Sequence, residues 1–261
     1  MNSNLRFSII TPSFNQGKFI RDTIESVLMQ NYQNFEHIVI DGGSTDNTIN
    51  ILREYPHLKW VSEKDSGQAN AINKGFKMAT GNIFSWLNSD DYYEKDIFKI
   101  IAKYFEENKS CNFLYGDITY VDEDKQKLSM ISGNELNFKK LLINPDLVRQ
   151  PSSFWRKEIL NTIGFLDESL NIVMDYDYIL KISNQYKLCH LKSNLSYFRT
   201  YSKSKTTKNY KEQAIEIKKV WKKFQSSISL RQNIFFGIRY FNINKSIIYK
   251  ILDKIIHLIK K

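Results

Sequence analysis

Apolar positions recur along this chain with two alternating periods. Phe7-Ser8-Ile9-Ile10-Thr11 is a short β-rich run stopped by Pro12, and Ile20, Ile24, Val27 and Leu28 then follow at helical spacing. The pattern repeats at His37–Asp41, which reads as a second strand. Ile49 and Leu52 continue a helix that the Ser44-Thr45-Asp46 cluster caps, and Lys59–Ser62 reads as a shorter strand. A helix is expected from about Gln68 to Ala79, with Ile72, Phe76 and Ala79 inward and Gly81 as its stop. A strand at Ile83–Leu87 and a helix marked by Ile97, Ile100, Ile101, Tyr104 and Phe105 complete the first half. Strand–helix alternation of this kind implies right-handed βαβ units and a largely parallel sheet.

The second half is less regular. Phe113–Tyr115 and Ile118–Val121 read as strands, and Leu128–Ile131 is expected to pair with the second of them across Asp122–Lys125. Helical spacing returns at Asp175–Ile182, Tyr197–Arg199 reads as a final strand, and the pattern is helical from Tyr210 onward. The expected organisation is an α/β domain over residues 1–205 and a helical extension over 206–261.

Charge separates the same two parts. Residues 1–202 hold 23 Lys/Arg and 25 Asp/Glu, whereas 203–261 hold 15 Lys/Arg and 3 Asp/Glu. An anionic partner is expected for the extension, and a lysine-rich solvated face is the plain alternative. Ile247, Ile248, Ile251, Leu252, Ile255, Ile256 and Ile259 form one helical stripe, with Lys250, Lys254, His257 and Lys261 on another face. Such a basic amphipathic helix suits an anionic membrane surface. Packing on the body or on a second copy is the rival reading, which leaves a homo-oligomer open. No nucleic-acid module accompanies the charge, so no nucleic-acid partner is expected.

The chain of 261 residues, 42% hydrophobic, has enough apolar content for one core with an appendage. Cys111 and Cys189 lie far apart, so no disulfide framework is expected and a reducing cytosol fits. The four histidines show no zinc-like spacing. The N-terminus reads as entering a strand without a signal peptide. No run approaches the ~20 apolar residues of a membrane-spanning helix. The expected location is cytoplasmic, peripheral on the inner membrane face if the extension binds lipid.

The chemistry concentrates where apolar runs end in acids. His37–Ile40 ends in Asp41, before Gly42-Gly43-Ser44; Ile83–Leu87 leads to Asn88-Ser89-Asp90-Asp91. In an open α/β sheet, ligands bind beyond the carboxyl ends of the strands. Two such endings point to a site for a metal-bound diphosphate. Each acid also has a bland role: Asp41 as turn chemistry, Asp46 as a helix cap, and Asp90-Asp91 as favourable charges at a helix N-terminus.

Taken in order, these pieces resemble the family 2 glycosyltransferases with a GT-A fold. The match runs through Ser8–Asn15 (with Thr11, Pro12, Phe14 and Asn15), Thr23–Gln30, Asp41–Thr48, Asp65–Gln68, Ala71–Gly75 and Leu87–Asp91. It continues at Gln150–Phe154, Gly164–Glu168 and Asp175–Asp177, covering about residues 7–205. The resemblance implies a Rossmann-like, mostly parallel central sheet flanked by helices. It implies an inverting glycosyltransferase that moves a sugar from a nucleotide-diphosphate donor to a glycan or polyprenyl-linked acceptor in surface polysaccharide synthesis.

Residue by residue, the resemblance gives Asp41 to the base or ribose and sets Thr11, Pro12, Phe14, Asn15, Gly43, Lys64, Gly67, Gln68 and Asn73 around the nucleotide sugar. Asn88, Ser89, Asp90 and Asp91 fall in the same group. Asp90 is the implied ligand of Mg²⁺ or Mn²⁺, with Asn88 standing where relatives carry a first acid. Asp175 is the implied general base, Asp177 the runner-up, and Met174 replaces a usual Glu. Gln150, Ser152, Ser153 and Trp155 are placed on the acceptor side, although a core role for Trp155 is as common. Tyr201 stands where relatives often have a metal-binding His. A phenol is a poor ligand for a hard cation at neutral pH, so either weak metal affinity is expected or Lys203 or Lys205 neutralises the diphosphate instead. Asn88, Met174 and Tyr201 also leave open a catalytically impaired relative acting as a membrane-associated glycan-binding or scaffold subunit. A sugar nucleotidyltransferase is disfavoured, because no Gly-rich phosphate loop follows the first strand.

Overall fold

The computed structural model describes residues 4–133, 135–202, 204, 205, 210–224 and 226. The apolar stripe at 247–259 and Lys203 lie outside the described residues. The first half forms β1 (Phe7–Ser13), α1 (Ile20–Leu28), β2 (Phe35–Asp41), α2 (Thr48–Arg53), β3 (Lys59–Ser62), α3 (Gln68–Met78) and β4 (Ile83–Trp86). These strands lie side by side in the order β3-β2-β1-β4, all parallel.

The second half adds β5 (Tyr92–Tyr93), α4 (Ile97–Glu107), β6 (Phe113–Val121), β7 (Lys127–Ile131) and α5 (Phe138–Ile143). After these come β8 (Ser153–Arg156), α6 (Lys157–Ile163), α7 (Met174–Gln185), β9 (Leu188–Arg199) and α8 (Tyr210–Phe224). β8 joins the halves, running antiparallel to both β4 and β6. β9 lies parallel to β6, β5 antiparallel to β9, and β7 antiparallel to β6.

Period-two alternation divides the core between the two sheet faces. On β4, Phe84 and Trp86 join a cluster with Phe76 of α3, Trp155 of β8 and Tyr178 of α7. Ile83, together with Leu87 just beyond, faces the other way, against Val27 of α1 and Ile97, Phe98 and Ile101 of α4. Gly75 is what lets α3 lie on β1, because a Cβ there would fall 2.4 Å from Ile10 Cγ2. Among α8 residues, Ile217, Val220 and Trp221 are buried in the first of these clusters, so the start of the basic extension packs on the body.

Three features differ from the sequence reading. The two runs at 113–115 and 118–121 are one strand, β6. β9 is 12 residues long and begins well before Tyr197; its exposed Lys192 and half-buried Ser193 and Asn194 hide it from a search for apolar runs. Cys111 and Cys189 are joined as a disulfide, with Cα atoms 6.2 Å apart, correcting the expectation of separate thiols. The parallel pairing of β6 with β9 brings together residues 78 apart in the chain. No described helix is long and apolar enough to cross a membrane.

Candidate active site

The carboxyl ends of β1 and β4 line a cleft, and β2 ends beside β1 without reaching the lining. Asp41 ends β2 and is fully buried. Its Oδ2 accepts from Gly43 N (3.0 Å), Ser44 N (2.8 Å) and Ser62 Oγ (2.7 Å), and its Oδ1 accepts from Ser44 Oγ (2.5 Å). Gly43 has φ +84°, a backbone state that glycine adopts without the Cβ penalty. Asp41 therefore shapes the turn whose first residue, Gly42, donates to Ser13 O. Asn15 ties this turn to β1: its N donates to Ser44 Oγ, and its Oδ1 accepts from Thr45 N. Asp46 accepts from Gly17 N and from Thr48 N and Oγ1. Thr11 is buried, with Oγ1 2.9 Å from His37 Nε2.

The loop after β4 carries the amide and two acids. Asn88 Oδ1 accepts from Gln68 Nε2 at 2.9 Å. Asp90 Oδ2 accepts from the Tyr201 hydroxyl at 2.9 Å. Asp91 is buried, its Oδ1 accepting from Arg199 N at 3.0 Å. Burial pushes both carboxyls up; for Asp91 the neighbouring Asp90 adds to the rise. Burial, then the adjacent Asp90, likewise pushes the Tyr201 phenol up. Arg199, 3% exposed, donates from Nε to Asp90 O, from Nη1 to Glu123 O and from Nη2 to Asp22 Oδ2. Its charge is already used in holding this loop.

The N-terminal turn of α7 also lines the cleft, through Met174, Asp175 and Tyr176. Asp175 accepts from Tyr176 N at 2.8 Å, and burial pushes its carboxyl up to about 6. That value suits a group that takes a proton near neutral pH. The segment leading into α7 is fixed from α8. Glu216 accepts from three successive amides, Asn171 N and Ile172 N at 2.8 Å and Val173 N at 3.1 Å. The sequence reading missed Glu216. Its only signal is an acid on a basic helix, and nothing local reveals the three amides it meets.

The cleft encloses about 680 Å³, within the ordinary range for a small-molecule site. Of the residues singled out from the sequence, Pro12, Phe14, Gly67, Gln68, Asn88, Ser89, Asp90, Gln150 and Asp175 line it, joined by Tyr201 and Lys205. Gln150 is anchored by its Nε2 on Trp86 O at 2.6 Å. Tyr120 of β6, Phe198 of β9, and Gln213 and Ile217 of α8 line it as well. The β6 and β9 residues were discoverable, since Ile118 and Tyr120 alternate onto one face of a strand that the sequence does show.

Several residues fall elsewhere. Asp177 is buried beneath α7, with Lys181 at 2.6 Å and Lys223 at 2.9 Å, because two residues along a helix turn a side chain to nearly the opposite face. Ser152 donates to Asp117 O and Ser153 to Arg149 O. Trp155 packs edge-on against Trp86, so all three belong to the interior and not to an acceptor wall. Asn73 spends its amide on Leu166 N, Leu166 O and Glu168, clamping the chain that follows α6. Lys64 is exposed, outside the cleft lining.

The donors around Asp90 do not make a divalent-cation site. Asn88 turns its oxygen to Gln68, Tyr201 presents a hydroxyl hydrogen to Asp90, and Asp91 is taken by the Arg199 amide. Among the described residues no group of three His, Cys, Asp or Glu side chains is arranged to hold a metal. Hard cations call for several oxygen ligands with free lone pairs.

A mixed sheet, parallel through β3-β2-β1-β4 and flanked by helices, with a cleft lined from β1, β4 and α7, defines a class, the GT-A glycosyltransferases. The chain belongs to glycosyl transferase family 2, whose model matches residues 8–164. An uncharacterized glycosyltransferase of Rickettsia felis is 29% identical over 239 residues, 87% of this chain and 39% of that protein. The chain thus spans about two fifths of the length of such curated relatives. A PGL/p-HBAD biosynthesis glycosyltransferase of Mycobacterium bovis is 28% identical over 181 residues, covering 67% of this chain and 68% of that protein. Among solved structures, S. aureus TarS 1-349 in complex with UDP aligns with a TM-score of 0.67 at 20% identity, covering 93% of this chain and 73% of that one. The mannosyltransferase PcManGT from Pyrobaculum calidifontis, in complex with GDP-Man and Mn²⁺, aligns with a TM-score of 0.64 at 16% identity, covering 90% and 71%. These two likenesses establish the fold.

Proposed function

We propose that this glycosyltransferase moves a sugar from a nucleoside diphosphate sugar to a hydroxyl of a glycan or lipid-linked acceptor, inverting the anomeric configuration. The observation that carries the reading is that Asp90 and Asp175 line one cleft, with the Asp175 carboxyl raised to about 6 by burial. The donor lies along the β1 and β4 ends, between Pro12, Gly67 and Asp90. The acceptor enters between α7 and the Tyr120–Phe198 pair, whose rings sit 5.2 Å apart.

In the reaction, the acceptor oxygen forms a bond to the anomeric carbon as its proton passes to the Asp175 carboxylate. The bond from that carbon to the diphosphate oxygen breaks, and its electron pair leaves with the nucleoside diphosphate. Attack from the face opposite the leaving group inverts the centre. The UDP and GDP-Man bound by the structural neighbours support a nucleotide-sugar donor.

The test is transfer from a panel of UDP-, GDP- and dTDP-sugars to lipid-linked and free glycans, with the product anomer read by NMR. Transfer should be lost in Asp175→Asn with folding intact. A retained anomeric configuration, or full activity in Asp175→Asn, refutes the mechanism.

A further inference from the structure

The cleft needs positive charge wherever a diphosphate departs, and its cations are few. Two cationic residues line it among the described residues, Arg199 and Lys205. Arg199 is committed, its guanidinium donating to Asp90 O, Glu123 O and Asp22. Lys205 is half-buried, and its Nζ donates to the neutral Gln68 Oε1 at 3.3 Å, its one hydrogen-bond partner among the described residues. No carboxylate among the described residues lies within ion-pair distance of it. Burial pushes its pKa down, against the longer-range pull of the Glu216, Asp175 and Asp65 carboxylates.

The surroundings suit an anion. Gln68 opens α3, an 11-residue helix whose N-cap is Gly67, at φ +123°, with no side-chain cap. Gly67, Gln68 and Ala71 line the cleft, and the first amides of a helix have no intrahelical partner. Gln68 also links the ammonium to the loop after β4: its Oε1 faces Lys205 and its Nε2 donates to Asn88. The residues that would otherwise hold a cation are turned inward, Asn88 to Gln68 and Asp90 to the Tyr201 hydroxyl.

We propose that Lys205, beside the uncapped start of α3, takes the place of a divalent cation, so that this enzyme binds the diphosphate of its donor without metal. The inference rests on the sugar-nucleotide reading given above and assigns to that site its source of positive charge. Lys205 is then a binding residue for the leaving group, and Tyr201 locks Asp90 by a hydrogen bond where a metal ligand would stand.

The experiment is calorimetric titration of the full chain with UDP and with GDP, in EDTA and in MnCl₂. At least one nucleotide should bind equally in both buffers. Lys205→Ala should weaken that binding roughly tenfold or more, the worth of one charge-assisted hydrogen bond, with Lys205→Arg recovering part of the loss. Tyr201→His, which offers Asp90 an imidazole partner, should make binding respond to Mn²⁺. Binding abolished by EDTA and restored by Mn²⁺ in the unaltered protein overturns the inference and leaves the sugar-nucleotide reading standing. So does metal-independent binding that Lys205→Ala leaves unchanged with the variant folded. If neither nucleotide binds in either buffer, both fall together.

Discussion

The two walls of the cleft are held by different means. At the strand ends, Asp41 gathers donors from Gly43, Ser44 and Ser62 at the ends of adjacent parallel strands. At α7, the turn that carries Asp175 is fastened by Glu216, more than forty residues downstream. Asn73, on α3, clamps the approach to that turn. One wall is a property of strand ends and their loops; the other exists only once distant helices have docked. The difference teaches that chemistry and its support can come from separate stretches of one chain.

The sharpest way to break this contrast is Asp175→Asn. Loss of the general base should lower transfer by about 10³-fold while UDP or GDP binding persists, since only the α7 wall is touched. Equal loss of nucleotide binding by calorimetry would show the walls to be one unit. The same carboxyl sets a pH signature. Its folded value, about 6, lies above its ordinary value of 3.8. The folded state thus holds this proton more tightly, and stability gains as pH falls through 6 towards 4. Activity should fall below about pH 6, and Asp175→Asn should melt higher than the unaltered protein at pH 7.5 but not at pH 4.5.

Asp41→Ala should be next in size. It leaves four donors without their acceptor at a buried site, a loss of ~2–3 kcal/mol in denaturant unfolding, together with weakened nucleotide binding. Glu216→Ala should cost less, ~1–2 kcal/mol, because its amides lie nearer solvent. Its effect should fall on kcat and on the acid limb of the pH profile, with nucleotide affinity kept. Ser152→Ala should be smallest, ~1 kcal/mol of stability with acceptor KM unchanged, since its hydroxyl serves Asp117 O and Ser196 inside the sheet. A raised acceptor KM there would return Ser152 to the acceptor wall.

How legible each wall is follows from the same contrast. The β1, β2 and β4 runs are continuous and apolar, their helices keep one face buried, and each ends in a motif, so strands, turns and acids could be read in order. β8 and the first half of β9 were not legible. β8 presents Ser153, whose hydroxyl is satisfied by Arg149 O, and β9 carries Lys192, Ser193 and Asn194 in a polar stretch. The resemblance ranks Asp175 ahead of Asp177 as base, but no local pattern shows that Asp177 is buried. What separates them is Lys181 and Lys223, one of which arrives from α8. No local pattern announces that Gln213 and Ile217 complete a cleft begun at Pro12.

That dependence on α8 has a consequence for biosynthesis. Chains emerge from the ribosome N-terminus first, and units close as their parts appear. Once β4 is out, the strands that carry Asp41 and Asn88 can already pair. Glu216 and Ile217 come much later, so the strand ends are paired before the turn that carries Asp175 is fastened. Quality control that reads exposed Val220 and Trp221 would find them in chains that had failed this last step.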